Sequence, residues 1–278
     1  MRYAVANSEI SDTPTLEWGK GAYLKGNLRN ILLDIVSRPN IAYECNVLKD
    51  LSYLYQGCGR LIEITPLWDT SLVNSMIKTF HKCLSLKYAD LSHLNLPSVA
   101  NLVSLFESSV SLIDVKLPSL PSVTNCVNMF INCQSLQSVT LPSLPLVTNC
   151  ESMFESCSSL QSLYLDIPNC ENIDFLAYKC EALHTVEIVD ARKAKSLGNS
   201  FSGCSSLQNV NCIEELPKCA ISFNNSDKLT LDSVTNIITH LPDLIGADSK
   251  TLTLHATTKA LLNEALIAEA TNKNWIIA

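Results

Sequence analysis

The chain has 278 residues, of which 47% are hydrophobic and only 17% charged, so it can bury a large core and lacks the composition of a disordered polymer. Its formal net charge of −7 and the lack of any Lys/Arg cluster speak against nucleic acid or an anionic membrane as partner, since both demand a basic footprint. No apolar run approaches the roughly 18–20 residues that span a bilayer, so membrane insertion is not expected.

Residues 1–44 follow no repeat. Between Leu24 and Val36 the apolar residues fall at 24, 28, 31, 32, 35 and 36, which predicts an amphipathic helix stopped near Pro39. Two roles fit: a cap over the first turn of the repeat array, or a docking segment for a larger protein assembly, with Trp18 and Tyr23 as candidate contact residues. Gly19, Gly21 and Gly26 lack the G-x-x-x-x-G-K-[ST] order of a phosphate loop. The stretch Met1–Glu9 lacks a secretory apolar region.

From residue 45 to about 215 one sentence is spelled again and again. The frame F-x-x-C-x-x-L recurs as Tyr55/Cys58/Leu61, Phe80/Cys83/Leu86, Phe106/Ser109/Leu112, Phe130/Cys133/Leu136, Phe154/Cys157/Leu160, Ala177/Cys180/Leu183 and Phe201/Cys204/Leu207. Its leucines step by 25, 26, 24, 24, 23 and 24 residues. After each leucine, L-x-x-V-x-L alternates with the period of a strand buried on one face, as in Leu112-Val115-Leu117, Leu136-Val139-Leu141, Leu160-Leu163-Leu165 and Leu183-Val186-Ile188. Pro118 and Pro142 then reverse the chain. Before each aromatic a helical or 3₁₀ turn is expected, with Thr124 as the N-cap of one of them. The sixth repeat, which loses residues before Cys170, is expected to turn irregularly. A period of this length with L-x-x-L-x-L places the array among leucine-rich repeats: an α/β solenoid with short parallel strands on one face and helices, 3₁₀ turns and loops on the other.

Six of the twelve cysteines (58, 83, 133, 157, 180 and 204) share one repeat position. Stacked turns bring equivalent Cα atoms to about 4.8 Å, within disulfide range. Because the position accepts Ser109, however, free buried thiols acting as small core plugs are the expected reading, and Cys126 and Cys150 form a second such column. No C-x-x-C occurs, and no histidine stands at zinc-site spacing, so neither a metal nor another cofactor is expected.

The outward positions of the strands make a candidate binding face. One column holds Tyr88, Asp114, Ser138, Ser162, Thr185 and Asn209; two residues further on, a second holds Asp90, Lys116, Thr140, Tyr164, Glu187 and Asn211. Polar, mixed in charge and carrying two tyrosines, these columns suit hydrogen-bonded recognition of a protein or a glycan, or form a merely solvated face.

Residues 216–278 read as closing units. "LTLDSVTNIITHL" and "LTLHATTKALLNEALIAEATNKNWIIA" each pair a strand-like L-T-L with a helix, capped by Asp232 in the first and by Thr257 or Thr258 in the second, and a last strand is expected at Trp275–Ile277. Such units seal an edge that would otherwise invite aggregation. No motif of the G-x-S-x-G or H-E-x-x-H kind occurs, so the chain is not expected to be an enzyme.

The repeat frame resembles that of the BspA-like leucine-rich-repeat family, whose repeats read MF-x-x-C-x-S-L-x-x-V-x-L-P, over roughly residues 45–215, with "SFSGCSSLQNV" (Ser200–Val210) a close copy. The closing units resemble those of the same family. The resemblance implies an exported surface protein engaged in adhesion. Set beside a start without an export signal, it leaves a mature fragment, an intracellular protein or a bacteriophage virion component, and the expectation here is a virion protein, of tail or surface, that presents the solenoid for host attachment. A bacterial adhesin and a purely structural virion protein are the alternatives.

Overall fold

The computed structural model describes residues 49–66 and 70–278, together with the strand backbone of Tyr3–Ala4 (β1) and Ile10–Ser11 (β2), which pair antiparallel. Trp18, Tyr23, the helix expected over 24–36 and Cys45 lie outside the described residues.

The repeats are a solenoid of short parallel strands. Glu63–Ile64 (β3), Tyr88–Asp90 (β4) and Asp114–Lys116 (β5) form one sheet, and Ser162–Asp166 (β6), Thr185–Asp190 (β7) and Asn209–Cys212 (β8) form a second. Burial alternates along them, fully buried at Ala89, Val115, Leu163, Leu165, Val186 and Val210 and more open between. The leucines 61, 86, 112, 136, 160, 183 and 207 and the phenylalanines 80, 106, 130, 154 and 201 belong to one buried core. Tyr55, Phe80, Phe106, Phe130 and Phe154 stack face to face, with centroids 5.1–5.5 Å apart and planes within 15°. Ala177 interrupts this stack, which resumes with Phe201 on Phe223 at 5.7 Å.

On the opposite side, no helix or 3₁₀ segment forms before the aromatics; consecutive β-turns take that place. One turn accounts for every donor. Leu102, Ser104, Phe106 and Ser108 give their N–H groups to the carbonyls of Asn125, Val127, Met129 and Ile131 in the next turn, at 2.8–3.0 Å. Leu105, Glu107 and Ser109 donate three residues back, to Leu102, Ser104 and Phe106, and Val103 donates to the Asn101 side chain. A helix would direct all these groups along its own axis, whereas this zigzag spends every second one on the neighbouring turn and leaves no buried donor unpaired. The zigzag uses left-handed residues two before and two after the frame residue: Ser104 and Ser108, Asn128 and Asn132, Ser152 and Ser156, and, about Ala177, Phe175 and Lys179. In the last repeat the second place is Gly203 at φ +82, where a Cβ would meet the Lys179 backbone at 3.2 Å. Thr124 is correspondingly no N-cap: its N–H and hydroxyl both donate to Ala100 O. The sixth repeat keeps the ordinary turn, with its irregularity instead in the strand register, which shifts between Leu165 and Asp166.

Asn101, Asn125, Asn149 and Asn172 stack as a ladder preceded by Asp50 and Ser75. Each asparagine Oδ1 accepts the N–H two residues on, at 2.9–3.0 Å. The thiols do more than fill space. Cys83, Cys133, Cys157, Cys180 and Cys204 each donate S–H to the carbonyl of the preceding turn's frame residue, at 3.1–3.2 Å, and Ser109 makes the same bond at 2.7 Å. The eleven described cysteines are buried thiols. Burial pushes the thiol pKa up to about 12 at Cys204 and Cys212 and to about 11 at Cys219.

The array ends by exchanging roles. Leu231–Thr239 (α1) lies against the edge of β8, where Ser233 Oγ accepts the Val210 N–H at 3.0 Å and Asn236 Oδ1 that of Cys212. The first L-T-L is therefore not a strand: Thr230 is the N-cap of α1, in place of Asp232. The second is Lys250–Leu254 (β10), which lies between Ile221–Phe223 (β9) and Trp275–Ile277 (β11) in a parallel sheet. Ala256–Lys259 (α2) is capped by His255, whose Nδ1 accepts the Thr257 N–H, so neither Thr257 nor Thr258 is the cap. Glu264–Asn272 (α3) is capped by Asn263.

Candidate functional site

The strand register lines up the outward side chains as two columns. In the first, Glu63 pairs with Tyr88 and Tyr88 with Asp114, and beyond a gap Ser162 pairs with Thr185 and Thr185 with Asn209. In the second, Asp90 pairs with Lys116 and Lys116 with Thr140, and beyond the same gap Tyr164 pairs with Glu187 and Glu187 with Asn211. All twelve residues expected on this face are exposed or half-exposed; Tyr88 and Tyr164 are 48% and 50% open to solvent. Glu63 extends the first column and carries the same spacing from Leu61 that identified the others.

The gap lies at the fourth repeat. The L-x-x-V-x-L frame predicts a strand over residues 138–141, yet they make a single bridge, Thr140 to Lys116, and among the described residues none to β6. Val139 and Leu141 are half-buried here, where their counterparts Val115, Leu163 and Leu165 are fully buried, and Pro142 brings no N–H to the ladder. A hollow of about 210 Å³ opens at this break, lined by Leu141, Pro142, Ser143, Leu144, Tyr164 and Asp166.

Three strands, β4, β6 and β7, end in aspartate, and the three carboxylates have different surroundings. Asp90 Oδ1 accepts the N–H and hydroxyl of Ser92 at 3.1 and 2.6 Å, and Oδ2 meets Lys116 Nζ at 3.2 Å. The Ser92 hydroxyl, with its N–H and Lys116 behind it, holds this carboxyl down to about 2 against the effect of burial. Asp190 takes the Arg192 N–H at 3.0 Å and its guanidinium at 2.7 Å. Asp166 has no side-chain hydrogen bond or ion pair among the described residues. Two positions on from Asp90 and Asp190 stand Ser92 and Arg192, whereas two on from Asp166 stands Pro168, without an amide proton or a polar side chain. Asp166 was not among the residues singled out by repeat position, although it is one further step in the 162, 164, 166 alternation.

Away from this face His81 is buried against Gln56 at 3.0 Å and Glu107 at 3.7 Å; burial lowers its pKa, while Glu107 pulls the other way. Among the described residues no group of three His, Cys, Asp or Glu side chains is placed to hold a metal ion, and no helix is long and apolar enough to cross a membrane.

Comparison with known proteins bears on this architecture. Residues 103–230 match the family described as BspA type leucine rich repeat region, in six copies, and residues 36–143 match a family described as a Mycoplasma protein of unknown function. A search of curated proteins returns no match. Among solved structures, the crystal structure of a leucine-rich repeat protein of T. pallidum is similar at 22% identity and a TM-score of 0.50, over 66% of this chain and 82% of that one. A leucine-rich repeat protein of Bacteroides ovatus matches at 16% identity and a TM-score of 0.32, over 78% and 73% of the two chains. A leucine-rich cell surface protein of Faecalibacterium prausnitzii matches at 14% and 0.22, over 64% and 81%. With six family copies lying on the solenoid turns, residues 103–230 are a leucine-rich-repeat region of the BspA type.

Proposed function

We propose that the protein is a non-catalytic recognition module whose strand face binds a protein partner. The observation that carries this reading is the pair of outward columns. On a ladder that buries every second residue, eleven of the twelve polar or aromatic side chains, all but Ser138, are held open in fixed register, and only one ion pair, Asp90 with Lys116, joins any two of them. Pre-ordered side chains lose little conformational freedom on binding, and half-exposed tyrosines are the residue type enriched where proteins meet. A glycan is the second ligand class that such a face suits, through the tyrosine rings and the hydroxyls beside them.

The setting we infer is an exposed surface, of a bacteriophage particle or of a cell. Host attachment by a virion component rests on the sequence reading, and adhesion at a cell surface on the family resemblance. Anchoring of the chain to a larger assembly through residues 1–44, with Trp18 and Tyr23 in contact, belongs to the same proposal.

The experiment is a binding measurement on the purified chain against the surface proteins and glycans of the organism that the particle or cell meets. It is repeated with Tyr88→Ala, Asp114→Ala and Tyr164→Ala combined, and separately with three exposed substitutions on the turn side. Loss of binding in the first variant only is the expected result; loss in the second only would sink the reading.

A further inference from the structure

The hollow at the sheet break combines features that nothing else on the strand face brings together. It is bounded by an aliphatic wall of Leu141, Pro142 and Leu144, a half-exposed tyrosine ring and an unpaired carboxylate. At about 210 Å³ it is smaller than the roughly 300–1,000 Å³ of pockets that take small-molecule ligands, and it suits a single side chain.

The cations that follow β7 are already engaged. Arg192 is held by Asp190, Lys193 donates to Asn169, and Lys195 meets Glu171 at 2.6 Å. Asp166 stands in the strand register beside Asp190, whose charge Arg192 balances, and Tyr164 stands beside Glu187, which adds negative charge to the surroundings of the hollow. The chain as a whole carries −7. Pro168 is what keeps this carboxylate open: the serine and the arginine at the equivalent places satisfy Asp90 and Asp190 from within the chain.

Resting on the reading of the strand face as a protein-binding surface, we infer that this hollow receives an arginine side chain of the partner. The guanidinium pairs with the Asp166 carboxylate and lies on the Tyr164 ring, and its aliphatic stem follows Leu141 and Pro142. Arginine fits better than lysine because its planar, weakly hydrated head both stacks on an aromatic ring and bonds a carboxylate in the same plane. A sugar would find the ring and the carboxylate but would leave the local negative charge unanswered.

The test is an NMR titration of the isotope-labelled full chain with Nα-acetyl-arginine amide, with the uncharged citrulline analogue and with methyl glucoside. Saturable shifts are expected at Leu141, Tyr164 and Asp166 with the arginine probe, at a millimolar Kd. They should weaken roughly 3- to 10-fold with citrulline and in Asp166→Asn. Pro168→Ser, which rebuilds the Asp90–Ser92 arrangement, should weaken them as well, while circular dichroism shows both variants folded. The inference is overturned if no saturable shift appears by about 50 mM probe, if Asp166→Asn binds as well as the parent chain, or if the glucoside occupies the hollow and arginine does not. Shifts gathered around Tyr88 instead would overturn the arginine site and leave strand-face recognition standing. That broader reading falls only when the combined strand-face variant still binds its partner.

Discussion

The two sides of the solenoid keep their repeat to different degrees. On the turn side, hydrogen bonds, thiol donors, asparagine caps and stacked rings recur from one turn to the next with distances constant to a few tenths of an ångström. On the strand side the ladder splits into two sheets, the outward residues change from turn to turn, and a hollow lies at the split. Repetition is concentrated where each turn must satisfy the next, and variation where the only neighbour is solvent or a partner. Stability and recognition are thereby assigned to different sides, which allows either to be disturbed alone.

The largest disturbance is expected in the ring stack. Phe130 is fully buried between Phe106 and Phe154, so Phe130→Ala removes two stacking contacts and opens a cavity. It should cost about 3–5 kcal/mol in denaturant unfolding. A change below about 1 kcal/mol would show that neighbouring turns close over the gap, as they accommodate Ala177 in the native chain. Next come the thiols. Cys157→Ala removes a buried sulfur and its bond to Phe130 O, for an expected loss of about 1–2 kcal/mol. Cys157→Ser should lose less, because Ser109 already makes the equivalent bond to Phe80 O. If alanine and serine behave alike, the S–H donation carries nothing. Since the eleven described cysteines are all buried, and burial raises the thiol pKa of Cys204, Cys212 and Cys219, an alkylating reagent at about pH 8 should label none of the eleven in the native state, and all of them after denaturation without reductant.

The strand frame and the core leucines were legible because a buried position leaves a hydrophobic mark at a fixed spacing. Leu136, Cys133 and Phe130 stand where the repeat puts them. The turn side was misread as helix for a related reason: its defining feature is a backbone sign at Ser104, Ser108, Asn128 and Asn132, and these residue types serve equally in helix caps and loops. The asparagine ladder was visible in the sequence at intervals of 24, 24 and 23 residues but has no hydrophobic mark. The break at residues 138–141 was not legible at all, because "TLPSLP" after Val139 closely resembles "KLPSLP" after Val115, and only the second belongs to a formed strand. Asp166 escaped for want of a partner, a property that becomes visible only when Asp90 and Asp190 can be set beside it.

A smaller effect is expected at the asparagine ladder. Asn149→Ala leaves the Glu151 N–H without its side-chain acceptor in a half-buried turn, and should cost about 1 kcal/mol. A cost no larger than that of an exposed surface substitution would mean that water replaces the cap.

The smallest effect, and the most discriminating, separates two aspartates on one face. Asp90 is held by Ser92 and Lys116 and its carboxyl is lowered to about 2, so its contribution is fully present above the ordinary value of 3.8. That contribution is lost as pH falls from there through about 2, because the unfolded chain takes up the proton first. Being an exposed pair, it is worth only about a few tenths of a kcal/mol. Asp90→Asn should therefore destabilise the chain slightly at neutral pH and by only a small fraction of that near pH 2. Asp166→Asn removes a carboxylate that nothing in the described chain satisfies, so its stability should match that of the parent chain at neutral pH while partner binding falls. Equal and parallel losses in the two variants, measured by denaturant unfolding at about pH 7 and pH 2, would show that Asp166 has an internal role and that the two sides of the solenoid are not separable in the way their repetition indicates.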